Sequence, residues 1–239
     1  MPLRPLRRST CHTLPLLLGA LGLTWQLLSC AAEPAVPVPP PAMDNLRAAG
    51  PPQTAVLAGG CFWGVQGVYE HVRGVQRVTA GYAGGDPSTA HYDMVSTGTT
   101  GHAESVQITF DPAQISYGEI LQIFFSVVHD PTQLDRQGPD TGSQYRSDID
   151  YTDGRQKSLA LAYIAQLNAA HVFSAPIVTR VDPLRGFYPA ESYHQDYLIH
   201  NPTAPYIAIN DLPKVRNLQR VFPQYYTGRP VLVSAASSR

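Results

Sequence analysis

The stretch GGCFWG, residues 59–64, joins a predicted strand to a predicted helix and fixes the order of the first elements of the fold. The preceding residues 53–58, QTAVLA, are typical of a short buried strand, which the two glycines end. After the cysteine, apolar residues recur at helical spacing as far as Val72. Cys61 is therefore predicted to lie at the start of a helix.

Patterns further along the chain predict three more strands and a second helix. Residues 102–112 alternate between apolar and polar side chains, and residues 116–128 have the pattern of an amphipathic helix capped by Ser116. The predicted core elements are, in order, a strand at 53–58, a helix from 62, strands at 74–85 and 102–112, a helix at 116–128 and a strand at 144–151. This order predicts an α+β fold, a ferredoxin-like two-layer α/β sandwich.

The residues after this core are predicted to form a C-terminal extension. They contain the patterns of a helix at 154–170, a strand at 176–181 and a short polar helix at 189–201, whereas 202–239 is weakly patterned and predicted to wrap the surface. A polar loop at 130–148 interrupts the core pattern, and a loop of that length in a compact domain is usually functional or disordered.

The N-terminal residues predict a targeting segment followed by a linker. Residues 1–29 combine a basic start with an interrupted apolar run, which indicates a signal peptide. The run ends in LLSC, which resembles the lipobox of bacterial lipoproteins and predicts lipidation of Cys30; a plain signal peptide cleaved after Ala31 or Ala32 is the alternative. Residues 30–52 are rich in proline and predict an extended tether.

These features predict a folded domain at 53–212 and a tail at 213–239. We expect an exported protein, lipid-anchored and periplasmic, although translation from Met43 would give a cytoplasmic one. The net charge of −1, from 17 basic and 18 acidic residues, excludes a binder of nucleic acid by bulk charge. A monomer is expected.

Cysteine usage leaves one thiol to explain. The chain has three cysteines; signal removal would take Cys11, and acylation would block Cys30. Cys61 would then be the single thiol of the folded domain, with no disulfide partner and no cysteine-rich metal site. At a helix start it would meet backbone N–H groups and positive potential, which favour the thiolate. A buried, inert cysteine is the alternative.

Neighbouring side chains offer the rest of a reactive site. Phe62 and Trp63 are either core anchors or the apolar wall of a pocket beside the sulfur. In the alternating strand Glu104 falls on the apolar face, where desolvation would raise its pKa and suit it to proton donation; the alternative is an edge glutamate that reaches solvent. Three further candidates lie in polar segments and are individually weak: Tyr92, Asp140 and Tyr145.

Five segments resemble, in the same order, the signature segments of the A-type peptide methionine sulfoxide reductases. They are GCFWG, GYAGG, GHAE, DRQGPDTGSQYRS and YHQDY, and the resemblance covers residues 53–212. It implies reduction of the S epimer of methionine sulfoxide, protein-bound or free, without metal or organic cofactor, as a repair of oxidative damage.

The resemblance also implies a role for each candidate. The thiolate of Cys61 would attack the sulfoxide sulfur, Glu104 would protonate the oxygen, and Cys61 would be left as a sulfenic acid. The remaining candidates would bind the substrate: Tyr92 and Tyr145 the oxygen, Phe62 and Trp63 the methyl group, and Asp140 the substrate backbone.

The sequence departs from many members of that family because no cysteine follows Cys61. The sulfenic acid would need an external thiol, such as a thioredoxin-like protein or a glutathione system. Two other interpretations stay open. A cysteine-dependent hydrolase or amidase would pair Cys61 with His102, His129 or His194. A non-catalytic surface lipoprotein would have a buried, unreactive thiol.

Overall fold

The computed structural model describes residues 34–233. The predicted signal peptide, the predicted lipidation site at Cys30 and the last six residues lie outside this range. The strands are β1 (Gln53–Gly59), β2 (Val75–Ala83), β3 (Ala103–Phe110), β4 (Arg136–Gln137), β5 (Asp140–Thr141), β6 (Ser147–Tyr151), β7 (Arg180–Pro183) and β8 (Phe187–Pro189). The helices are α1 (Phe62–Glu70), α2 (Tyr92–Val95), α3 (Tyr117–Ile123), α4 (Gly154–Ala169), α5 (Tyr197–His200) and α6 (Leu212–Val221).

Six strands form one sheet in the order β7-β6-β1-β3-β2-β8. The four central strands β6, β1, β3 and β2 pair with one another in antiparallel fashion, and β7 joins β6 in parallel at one edge. Counted along the chain, the core strands β1, β2, β3 and β6 lie in the spatial order 4-1-3-2, with α1 and α3 as their connections. The predicted ferredoxin-like α+β fold with a C-terminal extension is confirmed.

One face of the sheet forms the hydrophobic core with the helices. Register pairs Leu57 of β1 with Val106 of β3 and with Ile149 of β6, so these three side chains share a face. They belong to one buried cluster that includes Val65 of α1 and Ile120 of α3. Because Glu104 is two residues before Val106 in β3, strand alternation places it on this same face.

Helix α3 begins as predicted and ends differently. Ser116 and Glu119 form a capping box, in which each side chain accepts a hydrogen bond from the other residue's backbone N–H. The predicted helix at 116–128 is α-helical only to Ile123, after which Phe124–Val128 forms a π-helical turn. All five residues of that turn are buried, so tertiary packing determines the change of helix type.

The proline-rich segment is not a free tether over the described residues. Val38 is buried, and its backbone N–H donates to Oγ of Ser126 at 3.2 Å. The hydroxyl of Tyr163 in α4 donates to the carbonyl of Pro39 at 2.6 Å, and Asp44 accepts the backbone N–H of Gly118 at 2.8 Å. Residues 34–48 thus form an extended strap across α3 and α4. Proline fixes the backbone dihedral φ, and the carbonyl groups of an extended segment can accept hydrogen bonds from side chains of the helices.

The C-terminal part is more ordered than its weak pattern predicted. Instead of a polar helix at 189–201 there is a short 3₁₀ turn, Ser192–His194, and then α5. A π-helical turn, Ile207–Asp211, leads into α6, which packs against α1. Val215, Leu218 and Phe222 are buried at a spacing that fits one helix face. Within residues 34–233 we find no helix both long and apolar enough to span a membrane.

Candidate active site

Cys61 lies where the sequence predicts, as the residue that caps the N-terminus of α1. The preceding Gly60 has a φ of +89°, and a Cβ there would lie 2.6 Å from Cγ of Gln137. The turn from β1 into α1 therefore requires glycine, for its backbone conformation and for the close approach of Gln137. Cys61 is buried, with 8% of its surface exposed.

Glu104 reaches the same helix start from β3. Its Oε2 accepts the backbone N–H of Phe62 at 3.0 Å, so the carboxyl group lies beside the residue that follows Cys61. Glu104 is 3% exposed, and burial raises its pKa to about 8, against the opposing effect of the Phe62 N–H. The buried carboxyl therefore keeps its proton at neutral pH. The alternative of a solvent-reaching edge glutamate is wrong.

The expectation of a lowered thiol pKa at Cys61 is also wrong. Burial raises the pKa of the Cys61 thiol well above its ordinary value, and the negative charges of Glu104 and Asp211 raise it further. A hydrogen bond from the backbone N–H of Trp63 and the positive charge of Lys214 act in the opposite direction. The helix start is present, but desolvation outweighs it.

The two aromatic residues after the cysteine have different environments. Phe62 is buried, with its ring centroid 5.1 Å from that of His194 and 5.8 Å from that of Tyr82. Trp63 is half-buried and stacks on Tyr197, with centroids 4.0 Å apart and planes 14° from parallel. Phe62 is thus a core anchor as well as a neighbour of the thiol, whereas Trp63 is only partly buried.

The predicted tyrosines come from two different segments and meet near the thiol. Tyr92 begins α2, and its backbone N–H donates to Oε1 of Glu191 at 3.0 Å. Tyr145 ends the 3₁₀ turn Ser143–Tyr145, within the segment predicted as a polar loop, functional or disordered, at 130–148. For both, burial is the main cause of a raised pKa, and Glu104 and Cys61 add to it. Both hydroxyls therefore remain protonated and can donate hydrogen bonds.

Asp140 is held by a residue that the sequence analysis did not select. The hydroxyl of Tyr206 donates to Oδ2 of Asp140, and the Tyr206 ring makes an edge-to-face contact with Trp63 at a centroid distance of 6.1 Å. Burial raises the pKa of Asp140, while the hydrogen bond from Tyr206 and the charge of Lys214 lower it. The structure thus brings all seven predicted residues to the end of the sheet where α1 begins.

The three histidines that a hydrolase could use are hydrogen-bonded to groups other than Cys61. His102 is within 2.9 Å of the carbonyl of Asp86 and accepts the backbone N–H of Gly85. His129 contacts Oγ of Ser147 at 2.7 Å, and burial lowers its pKa to about 3. His194 accepts the indole N–H of Trp63 at 3.2 Å. None of these contacts pairs an imidazole with Cys61, so the geometry does not support the hydrolase alternative.

Sequence reasoning missed several residues of the site because they lie far along the chain. They are Glu191, just before the segment YHQDY, Tyr197 within it, and Tyr206, Asp211 and Lys214 beyond it. His194, also within that segment, was considered only as the partner of a hydrolase thiol. The helical spacing of Val215 and Leu218 could have revealed α6, but not its contact with the site. In residues 34–233 no group of three or more histidine, cysteine or acidic side chains is arranged to hold a metal ion.

The fold and the site define a class of protein: an α+β cysteine enzyme with a protonated carboxyl group, rather than an imidazole, beside its thiol. The family model described as peptide methionine sulfoxide reductase matches residues 53–225. That match extends past the predicted domain end at 212 and includes α6. The chain belongs to the peptide methionine sulfoxide reductase family.

Individual relatives agree with this assignment. Peptide methionine sulfoxide reductase MsrA 2 of Mesorhizobium japonicum is 56% identical over 196 residues, which cover 82% of this chain and 100% of that protein. Among solved structures, Mxr1 from Saccharomyces cerevisiae in reduced form matches with a TM-score of 0.58 and 31% identity, covering 68% of this chain and 92% of that one. Methionine sulfoxide reductase A of Corynebacterium diphtheriae matches with a TM-score of 0.56 and 33% identity, covering 73% and 87%.

Proposed function

We infer that this protein reduces methionine sulfoxide to methionine, in oxidised proteins or as the free amino acid, and so repairs oxidative damage. The observation that carries this inference is the adjacency of Cys61 and protonated Glu104, through the 3.0 Å bond from Phe62, in a chain of the peptide methionine sulfoxide reductase family. The S epimer is the proposed substrate.

Oxygen transfer needs one nucleophile and one proton donor, and the site contains both. The Cys61 thiolate attacks the sulfoxide sulfur while Glu104 gives its proton to the sulfoxide oxygen. The bond formed between the two sulfurs and the bond from the methionine sulfur to oxygen then break as the oxygen moves to Cys61. Methionine leaves with its sulfur reduced by two electrons, and Cys61 is left as a sulfenic acid, oxidised by two electrons. The chemistry requires no metal or organic cofactor.

The other site residues hold the substrate in this account. Tyr92 and Tyr145 donate hydrogen bonds to the sulfoxide oxygen, because both hydroxyls remain protonated. The half-buried ring of Trp63, backed by Phe62, forms the wall for the methyl group. Asp140, fixed by Tyr206, accepts from the substrate backbone.

We propose that an external thiol completes the cycle, because no cysteine follows Cys61 in the sequence. A first thiol forms a mixed disulfide with Cys61 and releases the oxygen as water. A second thiol, or the second cysteine of a thioredoxin-like protein, then releases Cys61 and leaves as a disulfide. A glutathione system would supply the same chemistry.

Resolved epimers test the function directly. With dithiothreitol as reductant, we expect the protein to convert the S epimer of an N-acetylated, amidated methionine sulfoxide and to leave the R epimer unchanged. Chiral chromatography of the remaining sulfoxide measures this. Equal loss of both epimers would contradict the assigned substrate, and loss of neither would contradict the function.

Export and lipid attachment remain proposals, supported by the basic start, the apolar run and the LLSC sequence that ends in Cys30. The strap at 34–48 would then begin within a few residues of the anchor and hold the domain near the membrane surface. Mass spectrometry of the mature N-terminus decides the matter. A diacylglyceryl group on Cys30 is expected, and an unmodified terminus at Ala31 or later would contradict it.

A further inference from the structure

Lys214 is a buried lysine to which the proposed reductase mechanism assigns no role. It is the third residue of α6, and only 9% of its surface is exposed. Its Nζ is 3.2 Å from Oδ1 of Asp211, which has no exposed surface. Burying both charges is costly unless they have a compensating partner.

The Asp211–Lys214 pair lies directly against the first turn of α1. A Cβ built on Gly64 would lie 2.1 Å from Oδ1 of Asp211 and 3.0 Å from Nζ of Lys214. Gly64 is three residues after Cys61, so the pair occupies space that any other side chain at position 64 would fill. The glycine after the two aromatic residues therefore admits a charged pair to the site.

Lys214 adds positive charge beside the start of α1. The π-helical turn Ile207–Asp211 continues without a break into α6, so Lys214 lies inside a continuous helical segment and not at a free helix end. The N-terminus of α1 and the Lys214 cation beside its first turn both place positive potential at the N-cap of α1, where an anion is favoured. The ionisable group at that position is the thiol of Cys61.

We propose that Lys214, oriented by Asp211, is a positioning residue that stabilises the Cys61 thiolate during each turnover. This inference rests on the proposed function, in which the thiolate is the nucleophile. The cation acts against the burial and the carboxyl groups that disfavour ionisation. The titratable groups that face Cys61 or Lys214 are Tyr92, Glu104, His129, Asp140, Tyr145, Tyr206 and Asp211.

The pH dependence of Cys61 alkylation by iodoacetamide tests the proposal without any sulfoxide present. In the full-length protein, with the Cys61 peptide followed by mass spectrometry, Lys214→Met is expected to raise the midpoint by about one pH unit. Alkylation at neutral pH then falls about tenfold. Lys214→Arg should restore most of the rate. Lys157→Met is the matched control, since Lys157 is the other lysine of the chain, and should leave the midpoint unchanged.

A purely structural ion pair gives a different result. In that case Lys214→Met lowers the melting temperature but leaves the alkylation midpoint in place, which would overturn the proposal. Because alkylation does not depend on methionine sulfoxide, such a failure would leave the reductase function standing.

A second measurement needs no substitution at Lys214 and decides the matter if the variant does not fold. Selective ¹³C labelling of lysine gives signals from two residues. The Cε signal of Lys214 is expected to titrate with the midpoint of Cys61 alkylation, and to lose that transition in Cys61→Ser. A Lys214 signal that is indifferent to Cys61 ionisation would overturn the proposal.

Discussion

Replacing Cys61 with serine is expected to abolish the release of methionine from methionine sulfoxide, by a factor on the order of 10⁴ or more. A serine hydroxyl ionises far less readily than a thiol and cannot hold the transferred oxygen as a sulfenic acid. The epimer-resolved assay with dithiothreitol measures the loss. The change exchanges sulfur for oxygen at a residue that is 8% exposed, so the fold should persist, as circular dichroism would show.

Cys30→Ser is the matched control for this loss, because it replaces a cysteine that the proposed chemistry does not use. Its activity on the free amino acid should equal that of the unmodified sequence. Substantial turnover by Cys61→Ser would contradict the proposed role of Cys61. The surface-lipoprotein alternative predicts no turnover from Cys61→Ser or from Cys30→Ser.

Replacing Glu104 with glutamine is expected to lower kcat/KM by about 10²–10⁴, the usual contribution of a positioned proton donor. Glutamine retains the size and can still accept the Phe62 N–H, but it has no proton to give at neutral pH. Glu104→Asp, which keeps the acid but shortens its reach, should fall between the two. A rate for Glu104→Gln within a factor of about two of the wild-type rate would exclude Glu104 as the acid.

The pH profile gives this prediction a second readout. The reactive form has a proton on Glu104 and none on Cys61, although Glu104 has a pKa of about 8 and the thiol pKa is raised well above its ordinary value. The logarithm of kcat/KM should therefore rise with pH to about 8 and then level off, as one proton leaves the pair. In Glu104→Gln the break near pH 8 should disappear.

The parts of the site that local pattern determines were predictable. Two glycines ending an apolar strand, followed by helical spacing, place Cys61 at a helix start, and strand alternation places Glu104 on the apolar face. Both conclusions need only the geometry of one strand or one helix. Tyr92, Tyr145 and Asp140 were only weak candidates from their own segments, and the resemblance supplied their roles, which stay predictions that the geometry permits.

Properties that depend on long-range packing were not predictable. The sign of the Cys61 pKa shift follows from burial and from Glu104 and Asp211, which are 43 and 150 residues away in sequence. The docking of the proline-rich strap depends on hydrogen bonds from side chains of α3 and α4 to the carbonyl groups of the strap. Nor does the weak pattern of 202–239 indicate that α6 carries Lys214 to the start of α1.

The most direct test of the account is a single turnover without reductant. The protein used is Cys11→Ser/Cys30→Ser, in which Cys61 is the one remaining cysteine of the three. With excess S epimer we expect one methionine per protein and one added oxygen, or a dimedone adduct, on Cys61. Addition of a thioredoxin-like protein should then restore the thiol and permit further turnovers.

The contradictory results are equally clear. No methionine from a folded protein, with Cys61 unmodified, would leave the family assignment without its chemistry in this chain. More than one methionine per protein in the absence of any reductant would show that a second electron donor lies within the chain, and would contradict the one-cysteine cycle.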